Sequence, residues 1–107
     1  MSDKILINEV YPNPESGSEW IELYTDQEPN IEFSLANFTL SDSVRQIYKF
    51  TNEKFINQLL VIEVTGLNND TDSVVLKDND GNILDAFTYE HTEKGLSCKA
   101  EGHKKIV

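Results

Sequence analysis

The chain contains a single cysteine, Cys98, in 107 residues. One thiol excludes an intradomain disulfide, and with it the Cys pair flanking a Trp that marks antibody domains, so the core must hold by packing alone. No stretch approaches the 18 or so consecutive apolar residues of a membrane-spanning helix, so no membrane span is expected. Cations are scarce: 9 Lys and Arg stand against 19 Asp and Glu, a net charge of -10. Nucleic-acid binders gain most of their affinity by neutralising phosphates, so this chain repels a duplex on average, and the same argument opposes docking on anionic lipid. The acidity is spread along the chain and reads as a solvated surface. Met1-Ser2-Asp3-Lys4 is not a basic region leading into an apolar core, so no signal peptide is expected. Localisation then has two readings. It is cytoplasmic if the chain is complete as given, and exported or on the cell surface if the chain is a fragment of a longer protein.

The length is that of one domain spanning residues 1–107, which on folding buries roughly 65% of the surface the open chain exposes. Residues 5–11 and 19–25 are two β-rich runs separated by Pro12-Asn13-Pro14-Glu15-Ser16-Gly17-Ser18, a turn cluster that neither helix nor strand tolerates. In the second run Ile21 and Leu23 alternate with Glu22, while Trp20 and Tyr24 share the face of Glu22. That is the period of a strand with one buried and one mixed side. Residues 31–35 alternate again, and Phe38 and Leu40 extend the pattern. A further strand is expected over 45–50, a loop with one helical turn over 52–57, and a buried strand over 59–65, where β-branched residues are dense. Val74-Val75-Leu76 pairs across the turn Asp78-Asn79-Asp80-Gly81-Asn82 with a return strand over 83–89. The tail from Ser97 adds a final edge strand whose lysines discourage pairing with another molecule. Eight or nine short strands at roughly 8–12-residue spacing make an all-β sandwich.

Several of these pieces carry a resemblance. The first are Ile7-Asn8-Glu9-Val10-Tyr11-Pro12-Asn13-Pro14 with Glu19-Trp20-Ile21-Glu22-Leu23, then Leu35-Ala36-Asn37-Phe38-Thr39-Leu40-Ser41-Asp42. They continue with Asp72-Ser73-Val74-Val75-Leu76-Lys77-Asp78, Gly81-Asn82-Ile83-Leu84-Asp85 and Gly95-Leu96-Ser97. In this order they resemble the lamin-tail family of immunoglobulin-like domains in its bacterial form. The resemblance implies an immunoglobulin-like β-sandwich that sits beside other domains, in bacteria often in exported or surface proteins that include nucleases and other hydrolases. It also implies that Glu9 organises the Pro-rich turn by accepting backbone N–H bonds. Phe38 stands where the family commonly has Trp, and no closing Arg follows the Gly-x-Ser, so no partner surface carries over.

Four constellations bear on chemistry. Asp70, Asp72, Asp78 and Asp80 have the spacing of calcium-binding carboxylates, but Ser73 stands where an EF-hand loop needs Gly and Asn79 where it needs a bidentate Glu. Asx turns and a hairpin tip account for the same residues. Cys98, His91 and His103 are too few for a structural zinc site, and a Cys98–His103 nucleophile pair has no third group to orient it. A packed thiol and two exposed histidines are the plain alternative. Glu9, Glu19 and Glu22 lie near each other on the opening strands, where two carboxylates about 5–9 Å apart could serve a glycosidase, but carboxylates on sheet faces are more often solvated or hydrogen-bonded. Trp20 and Tyr24, if they share an outer face, form an aromatic patch suited to a protein or a sugar. Otherwise they join Tyr11, Tyr48 and Tyr89 in core or cross-strand packing.

The resulting expectation is a non-catalytic interaction or scaffold module, not an enzyme, without cofactor or metal. The alternative is a calcium- or glycan-binding β-sandwich. The expected partner is a protein and not nucleic acid, with weak self-association through an edge strand. Duplex DNA should bind very weakly at physiological salt because of the net charge of -10. A fluorescence titration checks this, and sub-micromolar, sequence-independent binding contradicts it.

Overall fold

The structure, a computed structural model, describes residues 5–26, 34–68, 71–90 and 92–99. These contain eight strands and no helix: β1 (Ile5–Tyr11), β2 (Glu19–Thr25), β3 (Thr39–Ser41), β4 (Gln46–Lys49), β5 (Leu59–Val64), β6 (Thr71–Lys77), β7 (Ile83–Glu90) and β8 (Cys98–Lys99). They form two four-stranded antiparallel sheets, one in the order β5-β2-β1-β8 and the other β4-β3-β6-β7. This is the immunoglobulin-like sandwich expected from the sequence.

The core lies between the sheets. Ile5, Ile7 and Val10 of β1, Ile21 and Leu23 of β2 and Ile62 and Val64 of β5 meet Leu40 of β3, Val74 and Leu76 of β6 and Phe87 and Tyr89 of β7, with Leu35, Phe50 and Leu67 closing the ends. β2 is central, and its alternation puts Ile21 and Leu23 at 0% exposure beside Ile7. In β1 the in-out alternation breaks between Ile7 and Glu9, where a bulge sets Asn8 outside the ladder and lets both Ile7 and Val10 face inward. Phe38, at the family's Trp position, is half-buried against the core.

Beyond β6, which extends from the expected 74–76 to Thr71–Lys77, three local expectations change. First, residues 31–33 lie outside the described residues, and Ser34 and Leu35 belong to no strand. Leu35 opens a turn in which Phe38 N–H donates to its carbonyl at 2.9 Å and Asn37 takes φ 70°, a left-handed conformation that Asn tolerates better than most residues. Second, the helical turn expected over 52–57 is a tight hairpin. Ile56 and Leu59 exchange N–H···O bonds of 2.8 and 3.0 Å, and Asn57 and Gln58 have φ of 53° and 72°. Two positive φ values in a two-residue loop define a type I′ turn, whose twist matches the strands it joins. Third, β5 is not buried on both sides. It ends its sheet, and Val61 is 52% exposed. A continuous apolar run suits a doubly covered strand, but an edge strand with one face packed can carry it too.

The register of β2 yields a stability prediction. A one-residue slip would bury Glu22 and expose Ile21 and Leu23, two costs of the same sign. Leu23→Ala should therefore lose roughly 2–5 kcal/mol in equilibrium urea unfolding. Glu22→Gln, at a half-buried position facing Glu9 across the ladder, should change stability by less than about 1 kcal/mol. The reverse order would mean the faces of β2 are assigned the wrong way round.

Candidate interaction face

The same parity that buries Ile21 and Leu23 turns Trp20, Glu22 and Tyr24 to the outer face of the β5-β2-β1-β8 sheet. The register aligns three rows across it: Leu6–Tyr24–Leu59, Glu9–Glu22–Val61 and Tyr11–Trp20–Glu63. Trp20 and Tyr24 do share this face, as the patch reading requires. They stand four residues apart on an extended strand, roughly 13 Å, so each belongs to a separate row. Trp20 stacks on Tyr11, with ring centroids 5.2 Å apart and planes inclined at 32°. The face is thus two aromatic-bearing rows, one ending in Glu63, divided by a row that carries Glu9 and Glu22 and ends in Val61, with Lys99 of β8 opposite Glu9. All six strand positions of β1 and β2 in these rows are half-buried, large enough to contact a partner and wet enough to be reached.

The carboxylates considered for catalysis all hold the fold. Glu22 Oε1 accepts from Asn8 Nδ2 at 2.9 Å, and Glu19 Oε1 accepts from the backbone N–H of Leu67 at 3.0 Å. Glu9 accepts from the hydroxyl of Ser97. The expectation that Glu9 collects backbone N–H bonds of the Pro-rich turn is therefore corrected: the Ser97 side chain, just before β8, reaches it instead. The turn itself is held from the same segment, since Gly95 N–H donates to the carbonyl of Asn13 at 2.7 Å. A Cβ at Gly95 would stand 3.3 Å from Glu15, and its φ is 83°, which explains Gly at this approach.

Of the aspartates considered for calcium, Asp72 and Asp78 bracket β6. Asp72 stands near its start and Asp78 just past its end, six residues on, roughly 20 Å in extended chain, so the two loops do not converge on one ion. Asp72 accepts from Ser43 Oγ at 3.1 Å, Asn68 N–H at 3.2 Å and Ser73 N–H at 2.8 Å. Asp78 accepts from the backbone N–H groups of Asp80 and Asn82, each at 2.9 Å, and the bond from Asn82 first among them lowers its carboxyl pKa. Asp80 lies exposed at the tip of that turn, and Asp70 lies outside the described residues. Among the described residues no three His, Cys, Asp or Glu side chains cluster as metal ligands. Cys98 packs inward against the core, and burial pushes its thiol pKa up, away from the reactive thiolate. Its suggested partners His91 and His103 lie outside the described residues.

Beside β5, where the two sheets part, a shallow groove of about 300 Å³ is lined by Ser18, Ile47, Tyr48, Glu63, Val64 and Thr65. Tyr48 stands T-shaped to the buried Phe50, centroids 5.0 Å apart, and its hydroxyl donates to Glu53. That hydrogen bond, then burial, pushes the Tyr48 phenol up to about 12. Burial raises the Glu53 carboxyl, but bonds from Tyr48 and Thr51 N–H outweigh it and leave the pKa lowered. Tyr89, the remaining core tyrosine, is buried, and its hydroxyl donates to the Asn68 carbonyl at 2.6 Å. Sequence reading missed Leu6, Leu59, Val61 and Glu63 as members of the outer face. Their place follows from the cross-strand register to β2, which the sequence does not carry.

A family model described as Lamin Tail Domain matches residues 1–91. Among curated proteins and among solved structures, nothing matches the chain.

The Tyr48–Glu53 bond has a pH signature. The raised phenol contributes stability that is present below the unfolded tyrosine value of about 10 and lost as pH climbs toward about 12. The lowered carboxyl contributes stability present above the unfolded glutamate value of about 4.3 and lost as pH falls through its depressed folded value. In a phenolate absorbance titration, Glu53→Gln should bring one tyrosine down toward 10. An unchanged titration curve would refute the pairing.

Proposed function

Because the chain belongs to the lamin tail domain family, whose model covers residues 1–91, we propose that it is a non-catalytic interaction and scaffold module, an accessory domain of a larger exported or surface protein. Membership fits a non-catalytic module. The observation that carries the reading is the outer face of the β5-β2-β1-β8 sheet, where Tyr11, Trp20 and Tyr24 lie with Leu6, Leu59 and Val61 in half-buried or exposed rows. Aromatic anchors with a polar divide are the composition of a contact surface. The carboxylates that hydrolysis would need are occupied as acceptors for Asn8, Leu67 and Ser97, which favours a structural role for them.

A glycan-binding reading draws on one specific feature, the Tyr11–Trp20 ring pair, which offers an apolar platform to a sugar face beside hydrogen-bonding carboxylates. Trp20 is the only tryptophan of the chain, so intrinsic fluorescence reports on this face directly. A glycan array and calcium calorimetry, followed by Trp20 emission, separate the readings. The interaction module predicts no saturable heat with calcium and no emission shift with any arrayed sugar. A saturable sugar response that Trp20→Ala abolishes would replace it with the glycan-binding module.

A further inference from the structure

The open side of β5 carries a second surface. In an antiparallel pair, residues alternate between those that exchange hydrogen bonds with the partner and those whose N–H and C=O point away from it. Thr25 N–H donates to the Gln58 carbonyl at 3.1 Å, which fixes the phase of the β2–β5 ladder. Leu60, Ile62 and Val64 therefore bond toward β2, and Leu59, Val61 and Glu63 turn their backbone groups to the outer edge. The outward groups of Leu59 are taken by Ile56 in the type I′ turn. Among the described residues nothing pairs with those of Val61 and Glu63, because β5 closes the strand order at that end.

The other edges are treated differently. β4 has four residues, a bulge in its pairing with β3 and a terminal Lys49. β8 has two residues and ends in Lys99. β7 lies against β1, where Asp85 accepts the backbone N–H of Ile7 at 2.8 Å. The short length, bulge and terminal lysines of β4 and β8 are devices by which sheets avoid adding a foreign strand. β5 has six residues, Leu-Leu-Val-Ile-Glu-Val, with no proline and no lysine. It also carries exposed apolar surface: Val61 is 52% exposed, and Ile56 in its hairpin is 75% exposed.

We propose that the Val61–Glu63 edge of β5 is a docking site for an extended basic peptide segment of a partner protein, which adds to the sheet as a fifth strand. The proposal rests on the interaction-module reading but uses the sheet edge, not its outer face. An added strand forms backbone pairs at Val61 and Glu63 and alternates its side chains between two environments. Those facing outward lie beside Val61 and Glu63, where a lysine or arginine meets Glu63 with Glu22 behind it on the same face. Those facing inward lie over the groove, where Ile47, Tyr48 and Val64 offer apolar contact and Ser18 and Thr65 offer hydroxyls. The charge of the domain selects the occupant: at -10 a second copy is repelled, and a basic strand is drawn in.

The probe is an acetylated, amidated peptide, Lys-Val-Lys-Val-Thr-Val-Lys, with a glutamate-for-lysine counterpart as control, titrated into isotope-labelled protein and followed by amide chemical shifts. The expected result is saturable shifts centred on Val61 and Glu63 and on the groove residues Ile47 and Tyr48, at least tenfold weaker binding of the acidic peptide, and weakening by added salt. Val61→Pro removes an outward N–H while sparing the bonds of Leu60 and Ile62 to β2, and should abolish binding. Glu63→Lys leaves the backbone intact and should weaken the basic peptide about tenfold, so the test survives if the proline variant does not fold. No shift at Val61 and Glu63 at millimolar peptide overturns the proposal, as do shifts confined to Trp20 and Tyr24. Concentration-dependent shifts at Val61 without peptide assign the edge to a second copy and also overturn it. A saturable sugar response at Trp20, by contrast, strikes the interaction-module reading itself, whatever the peptide does.

Discussion

The side-chain parity of β2 is the constraint on which the rest of the structure depends. It is the central strand whose two neighbours, β1 and β5, are both read from its register. Once Ile21 and Leu23 are committed to the interior, Ile7 and Val10 on one side and Leu60 and Ile62 on the other must face inward with them. β1 cannot satisfy this with strict alternation, since Ile7 and Val10 are three residues apart. The bulge at Asn8 reconciles the two, and the displaced Asn8 then bonds Glu22 on the outer face. A conflict in the apolar pattern is thereby absorbed at one residue, which is the usual work of a bulge.

Much of the acidic character of the chain is structural. Asp42 accepts the N–H groups of Val44 and Arg45 at 2.7 Å each, closing the β3–β4 turn. Burial alone would raise its pKa, but these backbone bonds lower it. Asp72, Asp78, Asp85, Glu19 and Glu53 likewise each take a backbone N–H. A carboxylate serves such groups well because it accepts without competing as a donor. This explains why the aspartate spacing around β6 imitates a calcium loop: turn-capping and cation-binding draw on the same short acceptor side chains.

The sheet framework was legible because alternation is a direct statement about which side of a strand is buried. β1, β2 and β7 stood out in the sequence with boundaries close to those observed, whereas β6 showed only its apolar centre at 74–76 and in fact runs Thr71–Lys77. The turn at Asn57-Gln58 did not, because Gln is a poor marker of positive φ and the usual Asn-Gly signal is absent. The exposure of β5 was hidden for a different reason. Leu59 to Val64 is apolar at nearly every position, so periodicity does not tell a covered strand from an edge. Of the outer face, Trp20 and Tyr24 were visible from β2 itself. Leu6, Val61 and Glu63 depended on cross-strand register, which a single sequence does not contain. The partners of Glu9 and Asp85 were illegible too, lying 88 and 78 residues away.

Those long-range bonds also explain why the two lateral sides of the sandwich differ. On the side of β1, β7 and β8, polar groups cross between segments: Asp85 to Ile7, Ser97 to Glu9 and Gly95 to Asn13. Each occupies a backbone or side-chain group that would otherwise lie at that margin. On the side of β4 and β5 Ile47, Tyr48 and Val64 meet around a groove that Ser18, Glu63 and Thr65 also line, and the bond from Tyr48 to Glu53 runs within that margin and does not bridge β5 to β4. Hydrophobic contact across a gap is non-directional and leaves backbone groups uncommitted, whereas a side-chain acceptor consumes them. The asymmetry between a closed and an open side thus follows from which residue types the sequence places at each margin, acceptors on one and β-branched or aromatic residues on the other.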